Sequence, residues 1–153
     1  MTILMALSAI AAEQAKPTQR TMQRIWHLLD YMHSNPNATI RFRAPDMILN
    51  IHSDASYLTA TKGRSHAGGY FFLGSLPQRD QPIKLNGNIA ITSAILKLVA
   101  ASAAEAELGA LFLNRQEAKV IRLILAKSGH PQPPTPMHVD NTTTVGIVNN
   151  TTK

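Results

Sequence analysis

The stretch from residue 46 to 56 constrains the fold most, because it predicts a buried strand that carries a carboxylate near its end. Met47, Leu49 and Ile51 alternate with a mixed set of residues, as in a sheet strand that is partly covered on both faces. The alternation breaks at Ser53, so we expect the strand to end there and to hold Asp54 rigidly at the sheet edge. Asp54 is therefore a candidate catalytic or metal-binding group. The alternative is a turn in which it only accepts hydrogen bonds from backbone N–H groups.

Four other segments predict strands that surround this one. Residues 38–44 are expected to form a short strand leading towards it, and residues 67–73 return along it after a polar turn. Residues 89–99, rich in aliphatic and β-branched side chains, predict a third antiparallel strand. Residues 137–139 predict a very short strand that ends at Asp140. The aromatic residues of the second strand are expected in the core.

Helical periodicity and capping residues predict an amphipathic helix over residues 18–32, capped by Thr18 or Thr21, and a long helix from Ser102 to about residue 127. Ser102 and Glu105 have the spacing of a capping box, which gives Glu105 a structural role and leaves Glu107 free for chemistry. Asn141 and the three threonines after it can cap a last helix over residues 145–149. An apolar stripe of the long helix is expected to cover the sheet: Leu108, Leu111, Val120, Leu123 and Ile124.

Composition limits the partners and the setting. Fifteen Lys and Arg against nine Asp and Glu give a net charge of +6, which favours an anionic partner, with nucleic acid first. The absence of cysteine excludes disulfides and thiolate metal sites and suggests an intracellular, reducing setting. No Lys or Arg precedes Lys16 and no apolar run is long enough to span a bilayer, so we expect neither a secretory signal nor a membrane partner.

Three motifs in this order resemble the ribonuclease H domain of copia-type retrotransposon polyproteins. They are Ser-Asp-Ala-Ser at residues 53–56, Ala-Glu-Ala-Glu-Leu within residues 101–108, and Val-Asp-Asn-Thr at residues 139–142. Residues 67–74 are similar to that family's second strand, and residues 5–18 and 28–31 are similar to the segment that follows its reverse transcriptase thumb. The resemblance implies an α/β fold, with three antiparallel strands and one parallel strand in a ribonuclease H-like mixed sheet, flanking helices and an N-terminal helical connection segment.

The same resemblance implies a division into a connection segment, residues 1–37, and a ribonuclease H-like domain, residues 38–153. It identifies Asp54, Glu107 and Asp140 as ligands of Mg²⁺, with Mn²⁺ as a substitute, in a two-metal hydrolysis of the RNA strand of RNA–DNA hybrids. The implied partners are that hybrid and the reverse transcriptase domain of the same polyprotein, within a cytoplasmic retroelement particle. His52 and His138 are expected to be core residues or to contact the metal ligands, and not to be ligands themselves. Phosphate contacts are expected from Lys62, Arg64, Arg115, Lys119 and Arg122.

One feature departs from the family pattern. Ribonuclease H domains end in a helix that carries a fourth carboxylate, whereas no Asp or Glu follows Asp140 in this chain. We therefore expect an incomplete domain that binds metal weakly and whose salt-sensitive hybrid binding outlasts cleavage. One alternative is a catalytically inert hybrid-binding or connection fragment of such a polyprotein. A second is an unrelated small α/β binding domain whose acidic residues are only helix and turn caps.

Overall fold

The computed structural model describes residues 3–78 and 81–151, and the chain divides into two compact units, Met1–Ile40 and Arg41–Lys153. The first unit is a pair of helices, α1 (Leu4–Glu13) and α2 (Gln19–Ser34). Thr18 caps α2 through a reciprocal capping box with Thr21, so the helix predicted there is confirmed. The Glu13 carboxylate of α1 accepts hydrogen bonds from Thr21 and Arg24, which joins the two helices.

The second unit is built on a four-stranded mixed sheet, which confirms the predicted α/β class with three antiparallel strands and one parallel strand. Its strands are β1 (Ile48–Ala60), β2 (Arg64–Gly74), β3 (Asn88–Ile95) and β4 (Met137–His138), in the order β3-β2-β1-β4. The first three are antiparallel, and β4 runs parallel to β1 through only two residue pairs. A short 3₁₀ turn, Thr61–Gly63, joins β1 to β2.

Two helices complete the unit, α3 (Ala103–Lys127) and α4 (Thr142–Val148). Their N-caps are Ser102 and Asn141, as predicted. One face of the sheet packs on α3 and forms the main core, which contains Leu49, Ile51, Phe71, Ala118 and Leu125. The aromatic Phe71 and Phe72 are both buried, which confirms the core role predicted for this part of β2.

The prediction of which apolar stripe of α3 covers the sheet is largely wrong. Val120, Leu123 and Ile124 are each 58% exposed, whereas a different face is buried. The alanines of that face lack bulky side chains and so let the helix backbone approach the sheet closely. The buried positions of α3 are Ala106, Glu107, Ala110, Asn114, Ala118 and Leu125.

Three strand predictions also need correction. Residues 38–44 form no strand, and the backbone of Arg43 pairs instead with the side chain of Asn86 through hydrogen bonds of 2.8 and 3.0 Å. β1 does not end at Ser53 but continues to Ala60, since Asp54 and the residues around it pair with β2. The third strand ends at Ile95 instead of Val99. None of the helices described is both long enough and apolar enough to cross a bilayer.

Candidate metal centre

Three acidic side chains from distant parts of the sequence converge at one edge of the sheet. Asp54 lies within β1, Glu107 in the second turn of α3, and Asp140 between β4 and α4. One carboxylate oxygen from each lies within 4.8 Å of the other two. Asp54 and Asp140 are exposed, whereas Glu107 is only 5% exposed. Hard divalent cations prefer carboxylate oxygens, so this trio can bind a metal ion.

The three carboxylates lie beside the part of β1 that extends past its pairing with β4. β4 pairs with β1 only at Ile51 and His52, so the edge of β1 is open beyond that point. The Ala55 N–H is on this open edge and donates to Glu107 Oε1 at 3.1 Å. Glu107 therefore satisfies a backbone donor that a longer β4 would have taken, and this contact places its carboxylate beside Asp54.

A side chain also completes the same edge at the start of β1. Gln132 Oε1 accepts from the Leu49 N–H at 3.0 Å, and Gln132 Nε2 donates to the Met47 carbonyl at 2.8 Å. Between Gln132 and the metal centre, the Ile51 N–H donates to the Pro136 carbonyl at 3.1 Å. The segment that leads to Asp140 is thus aligned along β1 before the strand pairing of β4 begins.

Arg122 holds this segment from the other side. Its guanidinium donates to the carbonyls of Gln132 and Pro133 and to the hydroxyl of Thr135. These bonds fasten the connector between α3 and β4 to α3. Arg122 thus supports the position of Asp140, and the phosphate contact expected of it stays a prediction.

The two glutamates at the start of α3 have different environments. Ser102 Oγ accepts from the Glu105 N–H at 3.1 Å, and Glu105 Oε2 accepts from the Ala101 N–H at 2.7 Å. The return bond of the expected capping box therefore goes to the residue before the N-cap. Glu105 is exposed and caps the helix, while Glu107 points to the carboxylate cluster.

The surroundings of Glu107 disfavour the ionised form of its carboxyl group. Burial raises its carboxyl pKa above the ordinary value, and the charges of Asp54 and Asp140 raise it further, while the Ala55 hydrogen bond opposes them. Its second oxygen, Oε2, is buried and has no hydrogen-bond partner among the described residues. A bound cation would satisfy this oxygen and remove the repulsion, so the residues present fit a divalent metal ion.

His52 and His138 lie side by side on β1 and β4, with ring centroids 4.9 Å apart. His52 also stacks on Phe72 at 5.7 Å. Burial lowers the pKa of both imidazoles, and their mutual repulsion lowers that of His138 further. Both rings are therefore neutral near pH 7. They pack against each other, and His52 against Phe72, as part of the sheet.

Sequence reasoning missed Asn114, which connects the elements that carry the carboxylate cluster. It is fully buried, and its Nδ2 donates at 2.9 Å both to Ser53 Oγ, next to Asp54, and to the Gly68 carbonyl. Gly69 makes room for it, because a Cβ there would lie 2.3 Å from Asn114 Oδ1. The sequence signal that could have identified this residue is an asparagine two helical turns after Glu107, on the same face of α3 as Glu107.

The basic residues expected to contact phosphates occupy two places. Lys62 and Arg64 lie at the turn between β1 and β2, whereas Arg115 and Lys119 lie one turn apart on the exposed side of α3. Their contact with nucleic acid remains a prediction.

Comparison with protein-family models, with curated proteins and with solved structures gives no match to this chain.

Proposed function

We propose that the chain is a ribonuclease H-type module of a copia-type retroelement, which binds RNA–DNA hybrids and hydrolyses their RNA strand with Mg²⁺ or Mn²⁺. The observation that carries this proposal is the convergence of Asp54, Glu107 and Asp140 within 4.8 Å. Their placement on the central strand, the long helix and the end of the parallel strand is the arrangement that the sequence resemblance implies. The mixed sheet of the second unit is compatible with such a fold.

The chemistry depends on charge and position. Asp54, Glu107 and Asp140 would hold the divalent cations, which would supply a hydroxide at neutral pH and stabilise the leaving oxygen of a phosphodiester. Asp54 and Asp140 are exposed and can approach the phosphate, while the buried Glu107 fixes the cluster through its bond to the Ala55 N–H. The rigid sheet and helix thus hold the ligands in place before substrate arrives.

The preference for a nucleic acid rests on the excess of basic residues. With a net charge of +6, phosphate contacts give an affinity that falls as salt concentration rises. The reverse transcriptase domain of the same polyprotein would be the partner that supplies the hybrid. Among the described residues the cluster has three carboxylates, and three carboxylates alone neutralise two dications incompletely. We therefore expect hybrid binding to exceed cleavage.

The test combines a metal titration with a hybrid assay on the purified 153-residue chain. Calorimetry should show Mn²⁺ and Mg²⁺ binding that Asp54→Asn abolishes, while Asp46→Asn, at an exposed position before β1, leaves it unchanged. The chain should bind an RNA–DNA hybrid in a salt-sensitive manner and cleave it slowly or not at all. A chain that binds neither cation nor hybrid would overturn the proposal. Rapid cleavage that Asp54→Asn removes would show that three carboxylates suffice.

A further inference from the structure

The face of the sheet opposite α3 has an open position at Gly68, next to the carboxylate cluster. Ser53 bonds to Asn114 on the α3 side, so by strand alternation the neighbouring Asp54 belongs to the opposite face. Asp54 pairs across the sheet with Gly68, and Gly68 pairs with Ser93 of β3. Asp54 and Ser93 are thus two strand spacings apart, about 10 Å, and the residue between them on this face is a glycine.

The space above Gly68 is open, in contrast to its neighbour Gly69. A Cβ on Gly69 would collide with the Asn114 amide, whereas a Cβ on Gly68 would meet only the Asp54 carbonyl oxygen, at 3.7 Å, among the described residues. Gly68 is also partly solvent-exposed, while Gly69 is buried. Gly69 is therefore needed for packing, but nothing in the packing explains a glycine at residue 68.

Polar side chains surround this open space. His66 and Tyr70 are the next residues of β2 on the same face, and Ser93 borders it on β3. His66 Nε2 and Ser93 Oγ are hydrogen-bonded at 3.0 Å, and all three residues are partly exposed. We name the space over Gly68, bounded by Asp54, His66, Tyr70 and Ser93, the Gly68 hollow.

We propose that the Gly68 hollow binds one ribose of the RNA strand, whose 2′-hydroxyl is hydrogen-bonded by Ser93 and His66 next to the carboxylate cluster. This inference rests on the proposed function and names the residues that distinguish RNA from DNA at that site. The glycine leaves room for the sugar ring, and the polar pair lies on the side of the hollow away from Asp54.

A hydroxyl suits this pair better than a phosphate does. Ser93 and a neutral imidazole each donate and accept hydrogen bonds, as the 2′-hydroxyl does. Burial lowers the pKa of His66 and keeps its ring neutral near pH 7. A phosphate offers only acceptors and favours cationic partners. The nearest basic residue of this β2 face is Arg64, two positions beyond His66 on that face, where it can contact the next phosphate of the strand.

The test measures binding by fluorescence anisotropy to an RNA–DNA hybrid and to a DNA duplex of the same sequence, in Ca²⁺. Ser93→Ala should weaken hybrid binding roughly three- to tenfold, the effect of one hydrogen bond, and leave duplex binding unchanged. Gly68→Val fills the hollow in a strand that accepts β-branched residues, so it should abolish the preference for hybrid while the fold is kept. His66→Ala should resemble Ser93→Ala, and His66→Gln, which keeps a donor and an acceptor, should recover part of the loss.

Controls separate this inference from the proposed function. Ser75→Ala, at an exposed serine just after β2, should bind hybrid and duplex like the wild type. Calorimetric Mn²⁺ binding should be intact in Ser93→Ala. If the wild type prefers hybrid and Ser93→Ala and Gly68→Val keep that preference, the inference fails while the proposed function stands. If the wild type shows no preference for hybrid, the inference fails, whereas the proposed function fails only if the chain binds neither cation nor hybrid. If Gly68→Val proves unfolded by circular dichroism, Ser93→Ala decides alone.

Discussion

Glu105 and Glu107 are two residues apart on α3, yet one caps the helix and the other is a buried member of the carboxylate cluster. Glu107→Gln should keep the Ala55 hydrogen bond through its amide oxygen and remove the repulsion, so the metal-free protein should be at least as stable as the wild type. It should also lose the stabilisation by Mn²⁺. Glu105→Ala should lower the free energy of unfolding by about 1 kcal/mol and retain the Mn²⁺ response.

Thermal unfolding of both variants with and without Mn²⁺ tests this assignment. If Glu105→Ala were the variant that lost the Mn²⁺ response, the roles of the two glutamates would be reversed.

Asn114 and Gly69 are expected to be energetically coupled. Gly69→Ala forces a methyl group against the Asn114 amide and should cost roughly 1–3 kcal/mol. Asn114→Ala removes the donors to Ser53 and Gly68 and should cost a similar amount, roughly 1–3 kcal/mol. In the double variant the small side chain at residue 114 vacates the space, so the combined loss should be clearly less than the sum.

Denaturant unfolding of the two single variants and the double variant measures this coupling. Gly68→Ala is the matched control, since the Cβ there meets one atom at ordinary contact distance and the stability should change little. Strict additivity would contradict the proposed contact.

At the residue scale, the sequence predicted Asp54, Glu107 and Asp140 as one group only through ordered motifs, because no local spacing connects them. It also separated Glu105 from Glu107 correctly, since a capping box is a short-range pattern. The structural roles of Asn114, Gly68 and Gly69 could not be assigned from short-range patterns. Whether a glycine faces an amide or an open space depends on helix-to-sheet packing, which the local sequence does not determine.

At the scale of elements, the edge of β1 is completed by side chains on either side of the short β4. Gln132→Ala would leave the fully buried Leu49 without the acceptor for its N–H, which should cost roughly 1–3 kcal/mol. The segment before Asp140 would lose its alignment, so Mn²⁺ affinity should fall although every carboxylate is intact. Gln116→Ala, at an exposed position of α3, should change neither property.

Calorimetric Mn²⁺ titration and denaturant unfolding of Gln132→Ala and Gln116→Ala provide the measurement. An unchanged Mn²⁺ affinity in a destabilised Gln132→Ala protein would show that Asp140 is positioned without this contact.

The types and order of most elements followed from periodicity and caps, as for α2 and α3, but the strand predicted over residues 38–44 is absent. The buried face of α3 did not, because the helix has apolar side chains on more than one face. Large residues such as Leu123 favoured one stripe, whereas close approach to the sheet selects the alanines at 106, 110 and 118. The end of β1 was missed for a similar reason, since polar residues remain in a strand when a partner strand pairs with them.

For the whole molecule, the raised pKa of Glu107 links stability to pH. Its folded-state pKa lies above the ordinary value of 4.5, so between these two values the native state binds more protons than the unfolded state. The contribution of Glu107 to the free energy of unfolding therefore falls as pH rises through that window. The histidines with lowered pKa have the opposite effect. Their contribution to the free energy of unfolding falls as pH drops below about 6.5. The difference between wild type and Glu107→Gln isolates the carboxyl contribution.

Denaturant unfolding between about pH 4 and about pH 8 should show that the metal-free wild type loses stability relative to Glu107→Gln as pH rises. Saturating Mn²⁺ should reverse the difference at the upper end, because binding favours the ionised carboxylate. A pH-independent difference between the two proteins would mean that Glu107 is ionised with its ordinary pKa.

The two-residue length of β4 also bears on how the protein reaches its native state. Asp140 approaches Asp54 only after the chain between them, with all of β2, β3 and α3, has closed into place, and the two pairs of β4 give little energy for closing that loop. The β1–β2 hairpin is local and can form first. A cation can therefore bind only to a nearly finished structure. Mn²⁺ should leave the refolding rate unchanged in stopped-flow experiments and slow unfolding. The ion would then lengthen the lifetime of the native state without hastening its formation.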